Sequence, residues 1–178
     1  MGMGATTHVQ SRQRSGTRLS VLGRWRHGAW LVILIADAGL LLWGAGAALI
    51  PHRLPGPGSA AILPAGYEGY TGGSWSQLTA TSPEIAGYTT LLFRMYGIYI
   101  VAFSILAMAI AAKAFRNGER WAWWALLSGN TIAFVSAMAY DRIVGAIGPF
   151  EMSEYLVLAA IYGSLAITFR STRPRRVT

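Results

Sequence analysis

Residues 29–46 read AWLVILIADAGLLLWGAG, and the apolar run they open continues to Ile50 before Pro51 closes it. A run of about 20 apolar residues rising 1.5 Å each covers roughly 30 Å of hydrocarbon. A signal-peptide core is shorter, about 7–15 residues, so no cleavage is expected here. Within lipid every backbone polar group must find its partner inside the segment, which dictates a helix. One residue breaks the pattern. Asp37 places a carboxyl in the middle of a span that otherwise avoids charge.

Three more runs have the same character, at 83–114, 121–140 and 149–169. With 30–50 they predict an all-α, four-helix transmembrane bundle occupying 29–170. Short connections between the later helices favour an up-down-up-down order. A disordered basic tail is expected at 1–28 and a second basic tail at 171–178. The remaining segment, 51–82, is one long outer loop. Its first half is rich in Pro and Gly and reads as irregular. In its second half Ser74 and Gln77 have capping-box spacing, which predicts a short helix from Trp75 to about Ala80. Ser82, Pro83 and Glu84 then read as cap, first-turn proline and first-turn acid of the next helix.

Composition agrees with a membrane location. The chain is 53% hydrophobic and 12% charged, about half the charge of an ordinary soluble domain, and its mean hydropathy is +0.40. It contains no cysteine, which excludes disulfides, thiolate metal sites and thiol redox chemistry. None of His8, His27 and His52 lies within a span, so a haem held between paired histidines is excluded as well.

The net charge of +8 does not point to nucleic acid, because the basic residues flank the apolar runs. Twelve of the fifteen Lys and Arg fall on one side if the N-terminus is inside; Arg53, Arg94 and Arg142 are the others. Five of the seven acids gather opposite them: Glu68, Glu84, Asp141, Glu151 and Glu154. The positive-inside rule then puts both termini in the cytoplasm. Trp25, Trp30, Trp121, Trp123 and Trp124 would form an inner aromatic belt. The preference for Arg over Lys suggests GC-rich codons, hence a bacterial cytoplasmic membrane. Expected partners are the bilayer, anionic lipid at the basic tails, and a membrane protein or a second copy of the chain.

Asp37 has two readings. In one it is a proton-binding or ligand-binding carboxylate; in the other it is a hydrogen-bonding hub that fixes helix register. Counting depth from each boundary brings Asn130 and Tyr162 to its level, with Ser104 or Ser128 nearby. Arg94 also has two readings. It either pairs with Asp141, Glu151 or Glu154, or joins Arg142, Tyr96 and Tyr99 in an anion or head-group site at the outer mouth. The small-residue pairs Gly44–Ala48, Ala107–Ala111 and Ala159–Gly163 predict close packing between helices. There is no Walker loop, dinucleotide glycine pattern, HExxH or nucleophile elbow. A non-enzymatic accessory subunit is therefore the leading expectation, and a small proton-coupled transporter using Asp37 is the first alternative.

Three stretches carry a family likeness: GAGAALIPH at 44–52, FRMYG at 93–97 and AYDRIVGAIGP at 139–149. Between about Trp30 and Arg170 the chain resembles the DoxX-like four-helix bacterial membrane proteins, many of them uncharacterised. That resemblance implies a subunit of a membrane redox complex. Quinone is the only cofactor it suggests, held without covalent chemistry against Tyr, Trp and Arg94.

Overall fold

A computed structural model describes residues 6–56, 61–145 and 149–169, with side chains from Gly28 onward except in 149–151. The described residues are mostly helical, and no strand occurs among them. α1 spans Thr6–Leu49. α2 (Ile62–Thr71) and α3 (Trp75–Thr81) lie in the loop. α4 is Pro83–Ile110 and continues through one widened turn, Ala111–Phe115. α5 is Arg120–Val144 and α6 is Pro149–Thr168. Three of these helices are long and apolar enough to cross a membrane, over Gly28–Leu49, Pro83–Phe115 and Arg120–Val144. The apolar part of α6, Met152–Thr168, is shorter. The chain is thus an integral membrane protein built of helices.

Several expectations need correcting. Residues 6–28 were expected as a disordered tail, and α1 already runs through them. No proline interrupts 6–49, and each residue added to an existing helix gains a hydrogen bond at little further cost. In the loop, α2 occupies a stretch expected to be irregular. Pro64 sits in its first turn, where a missing N–H is harmless. Gly66 and Gly69, which resemble breakers, are contact points with α5. A Cβ on Gly66 would stand 2.6 Å from the Tyr140 hydroxyl, and one on Gly69 would run into the Val144 carbonyl. The expected α3 is present, but its capping box is not. The Ser74 hydroxyl bonds to that of Ser76, and the Trp75 N–H donates to Glu68 Oε1 at 2.9 Å. The basic tail expected at 171–178 lies outside the described residues.

α1 and α4 run antiparallel in the closest packing of the fold. They are tightest at Gly44 and Gly97. A Cβ on Gly97 would lie 2.6 Å from both the Ala48 nitrogen and the Gly44 oxygen. Small residues at such a crossing let two backbones approach and gain dispersion contacts without side-chain entropy loss. α6 packs on α1, and α5 on α6. The α5–α6 seam is pinned by Trp123, whose indole N–H donates to the Leu165 carbonyl at 2.7 Å. Trp123 is therefore a core residue, 8% exposed, and not part of a surface belt. Trp30, Trp121 and Trp124 remain partly exposed at that end, where the Arg116 guanidinium lies 4.9 Å from the Trp30 ring. The Trp25 side chain lies outside the described residues.

The apolar core is concentrated near this end: Ile33, Ala107, Ala111, Phe115, Leu126 and Ile161 belong to it. Toward the loop end the helices diverge. α4 and α5 are consecutive in the sequence yet meet at few points. Phe103 bridges them, its ring 3.0 Å from where a Cβ on Gly129 would be.

Candidate functional site

Two features follow from this arrangement, a buried polar layer and a cavity beside it. In an antiparallel pair, equal steps away from a contact keep two residues level. One heptad from Gly44 on α1 is Asp37; one heptad from Gly97 on α4 is Ser104. Both lie on the seam between the helices and both are 0% exposed. Asn130 of α5 is also 0% exposed. Its neighbours set its direction: Gly129 faces Phe103 of α4, and Thr131 bonds to Tyr162 of α6. Asn130, between them on the helical wheel, is turned toward the bundle axis.

The polar atoms of this layer are mostly unsatisfied. Both oxygens of Asp37, the Ser104 hydroxyl and Asn130 Oδ1 are buried without a hydrogen-bond partner among the described residues. Only the Asn130 amide nitrogen is used, donating to the Leu126 carbonyl at 3.1 Å. Native interiors rarely leave such groups alone, and an orphan usually marks a site.

The other residues expected at this level do not join it. The Tyr162 hydroxyl is 2.8 Å from Thr131 Oγ1, and the residue is 36% exposed. Ser128 is exposed and its hydroxyl turns back to the Trp124 carbonyl at 2.9 Å. Depth counting brought both to this level but could not give their helix face.

The cavity has a volume of 670 Å³ and lies between α1, α4, α5 and α6 on the loop side of the polar layer. Trp43, Phe93, Tyr99, Phe103 and Phe134 give it aromatic walls. Tyr96, Tyr140, Asp141, Ser153 and Glu154 bring polar groups to its loop end. The Trp43 indole N–H is buried and has no acceptor among the described residues. Such a lining, largely apolar with a few convergent polar groups, is what small-molecule sites have in common.

The outer-mouth group read from the sequence is divided by the structure. Tyr96 and Tyr99 line the cavity together with Asp141 and Glu154. Arg94 lines a separate groove of 450 Å³ with His52, Trp75, Thr79 and Thr90. The cause is helical periodicity: Arg94 and Tyr96 are about 200° apart on α4. Arg142 is exposed and lines neither space. The side chain of Glu151 lies outside the described residues.

The Arg94 groove was missed in the sequence. The His52 ring lies 5.9 Å from that of Trp75, tilted by 45°, and Thr90 Oγ1 is 3.5 Å from His52 Nε2. The only signal available was the pairing of Pro51 with His52 at the end of α1. Nothing in the sequence announced the cavity either, since its walls come from four helices. Among the described residues no three His, Cys, Asp or Glu side chains gather to hold a metal. No protein-family model matches the chain, and no match was found among curated proteins or solved structures.

Proposed function

We propose that the protein is a four-span bundle of a bacterial cytoplasmic membrane that holds one amphiphilic molecule in its inter-helix cavity. It acts as a non-enzymatic accessory subunit, presenting that molecule to a membrane partner. The observation that carries this reading is the cavity itself, with aromatic walls and a buried indole donor that lacks an acceptor. A ligand carbonyl or hydroxyl would satisfy that donor, and an apolar body would fill the space between α4 and α5. α6 serves as the fourth span, since Met152–Thr168 falls at the short end of the roughly 17–25 residues that span a bilayer. The positive-inside rule orients the bundle with both termini in the cytoplasm and the basic tails on anionic lipid.

Quinone is the ligand class that best suits these features. Its carbonyls accept hydrogen bonds, and Trp43 and the phenols of Tyr96 and Tyr140 are the residues that would hold its ring. The likeness to DoxX-like proteins points the same way. Organic extraction of the purified protein, followed by mass spectrometry, is expected to recover one carbonyl-bearing lipophile near one equivalent. Recovery of bulk phospholipid alone, at the ratio found around an unrelated four-span protein, would overturn the reading.

A second reading, a small proton-coupled transporter, is favoured by the complete burial of Asp37. It expects Asp37→Asn to fold normally in proteoliposomes and to abolish proton-driven uptake. Unchanged proton uptake by that variant would end it.

A further inference from the structure

We propose that the layer formed by Asp37, Ser104 and Asn130 binds a single desolvated monovalent cation, with Na⁺ as the best fit. The buried layer alone supports this site, whatever fills the cavity. The unsatisfied atoms are all oxygens: both of Asp37, the hydroxyl of Ser104 and the amide oxygen of Asn130. Asn130 has turned its only donor group away, onto Leu126 of its own helix. Hard oxygen donors without nitrogen or sulfur select hard cations and not transition metals. One carboxylate among neutral ligands balances one positive charge, whereas a divalent ion would leave an excess charge in the apolar interior.

Among the described residues no side chain supplies that charge. On α4 the basic residues nearest Ser104 are Arg94 and Lys113, about 15 and 13 Å along the helix at 1.5 Å per residue, and both are exposed. On α5, Arg120 and Arg142 stand ten and twelve residues from Asn130. The described part of α6 contains no Lys, Arg or His, and on α1 the closest is His27, ten residues from Asp37. An ionised carboxylate at this level therefore needs a counter-ion from outside the chain. A neutral hub would instead be expected to bond Asp37 to its seam neighbour. The Ser104 hydroxyl and both Asp37 oxygens remain unbonded.

A way in exists. Ala36, Phe103 and Phe134 line the cavity floor, the first two adjacent in sequence to Asp37 and Ser104 and the third one turn from Asn130. The carboxylates of Asp141 and Glu154 stand at the other end of the same cavity. A cation would be drawn to that acidic end before it is stripped of water.

The test uses purified full-length protein in detergent, prepared without sodium. Its melting temperature is measured as NaCl, KCl or choline chloride is added at constant ionic strength. A saturable rise with NaCl, absent with choline, is the expected result, and ²²Na⁺ should bind at one ion per chain. A rise with both NaCl and KCl also supports the site and sets its size selectivity. Ser104→Ala removes one neutral ligand and should weaken half-saturation by about tenfold or more, as for loss of a partner to a charged group. Asp37→Asn should abolish the rise. If that variant fails to fold, Ser104→Ala decides alone. Equal melting in all three salts overturns the proposal, as does a sodium effect that survives Ser104→Ala unchanged. Ligand extraction is read separately, so failure here leaves the cavity reading standing and the reverse also holds.

Discussion

Gly97→Leu is expected to leave almost no folded protein, because it forces α1 away from α4. A Cβ at position 97 would already lie 2.6 Å from the Ala48 nitrogen and the Gly44 oxygen and 2.9 Å from Ala47 Cβ. Two of these three are backbone atoms, so no rotamer change makes room. Overpacking of this kind costs about 1–3 kcal/mol even for small additions, and a leucine adds far more than a methyl. Gly97→Ala should therefore fall in that range in unfolding measurements on the purified protein. Gly44→Ala should cost less, since its nearest obstacle is the Ile100 γ2 methyl at 2.7 Å and the nearest backbone atom, the Gly97 oxygen, is 3.0 Å away. Gly87 and Gly163 are the controls. Each is helical with nothing within 4 Å, so alanine there should stabilise by up to roughly 0.5–1 kcal/mol through backbone entropy. If Gly97→Ala behaved like Gly163→Ala, the α1–α4 crossing described here would be wrong.

That crossing also marks how far the sequence could be read. Helix ends were legible where local chemistry sets them. Pro51 cannot continue the ladder of α1, and Pro83 and Glu84 occupy the first turn of α4. The small-residue spacing pointed to packing, and Gly44, Ala107 and Ala111 are buried as such spacing implies, while Ala159 and Gly163 face outward. Period and spacing locate a stripe on a helix but not the helix it meets. Depth counting likewise placed Asn130 and Tyr162 at one level, yet their faces differ. Asn130 is turned inward, whereas Tyr162 reaches across to Thr131. Arg94 was grouped with Tyr96 and Tyr99 by proximity along the chain, and the helix puts them on different faces. α2 was hidden because glycine signals a turn in isolation and a close contact in a packed structure. Only the structure shows that Gly66 and Gly69 are of the second kind.

Filling the cavity is expected to remove the bound molecule without harming the fold. Ala137 lies on α5, partly buried, with its methyl at the cavity wall opposite α4. Ala137→Trp would place an indole in the space between the two helices, where they touch least. The new ring gains dispersion contacts with aromatic walls that now face a gap, so melting should stay level or rise, as cavity filling commonly does. Retained ligand should nevertheless fall to background in the extract. Trp43→Phe tests the donor. It keeps an aromatic wall but removes the orphan N–H together with part of the indole, so retention should drop at least about tenfold, the effect of one hydrogen bond worth roughly 1.4 kcal/mol. Loss in the first variant with no change in the second would mean that the cavity selects its ligand by shape alone. Full retention in both would place the ligand elsewhere on the protein. The Arg94 groove would then be the next place to look, because its guanidinium, imidazole and indole offer the opposite chemistry, suited to an anionic head group.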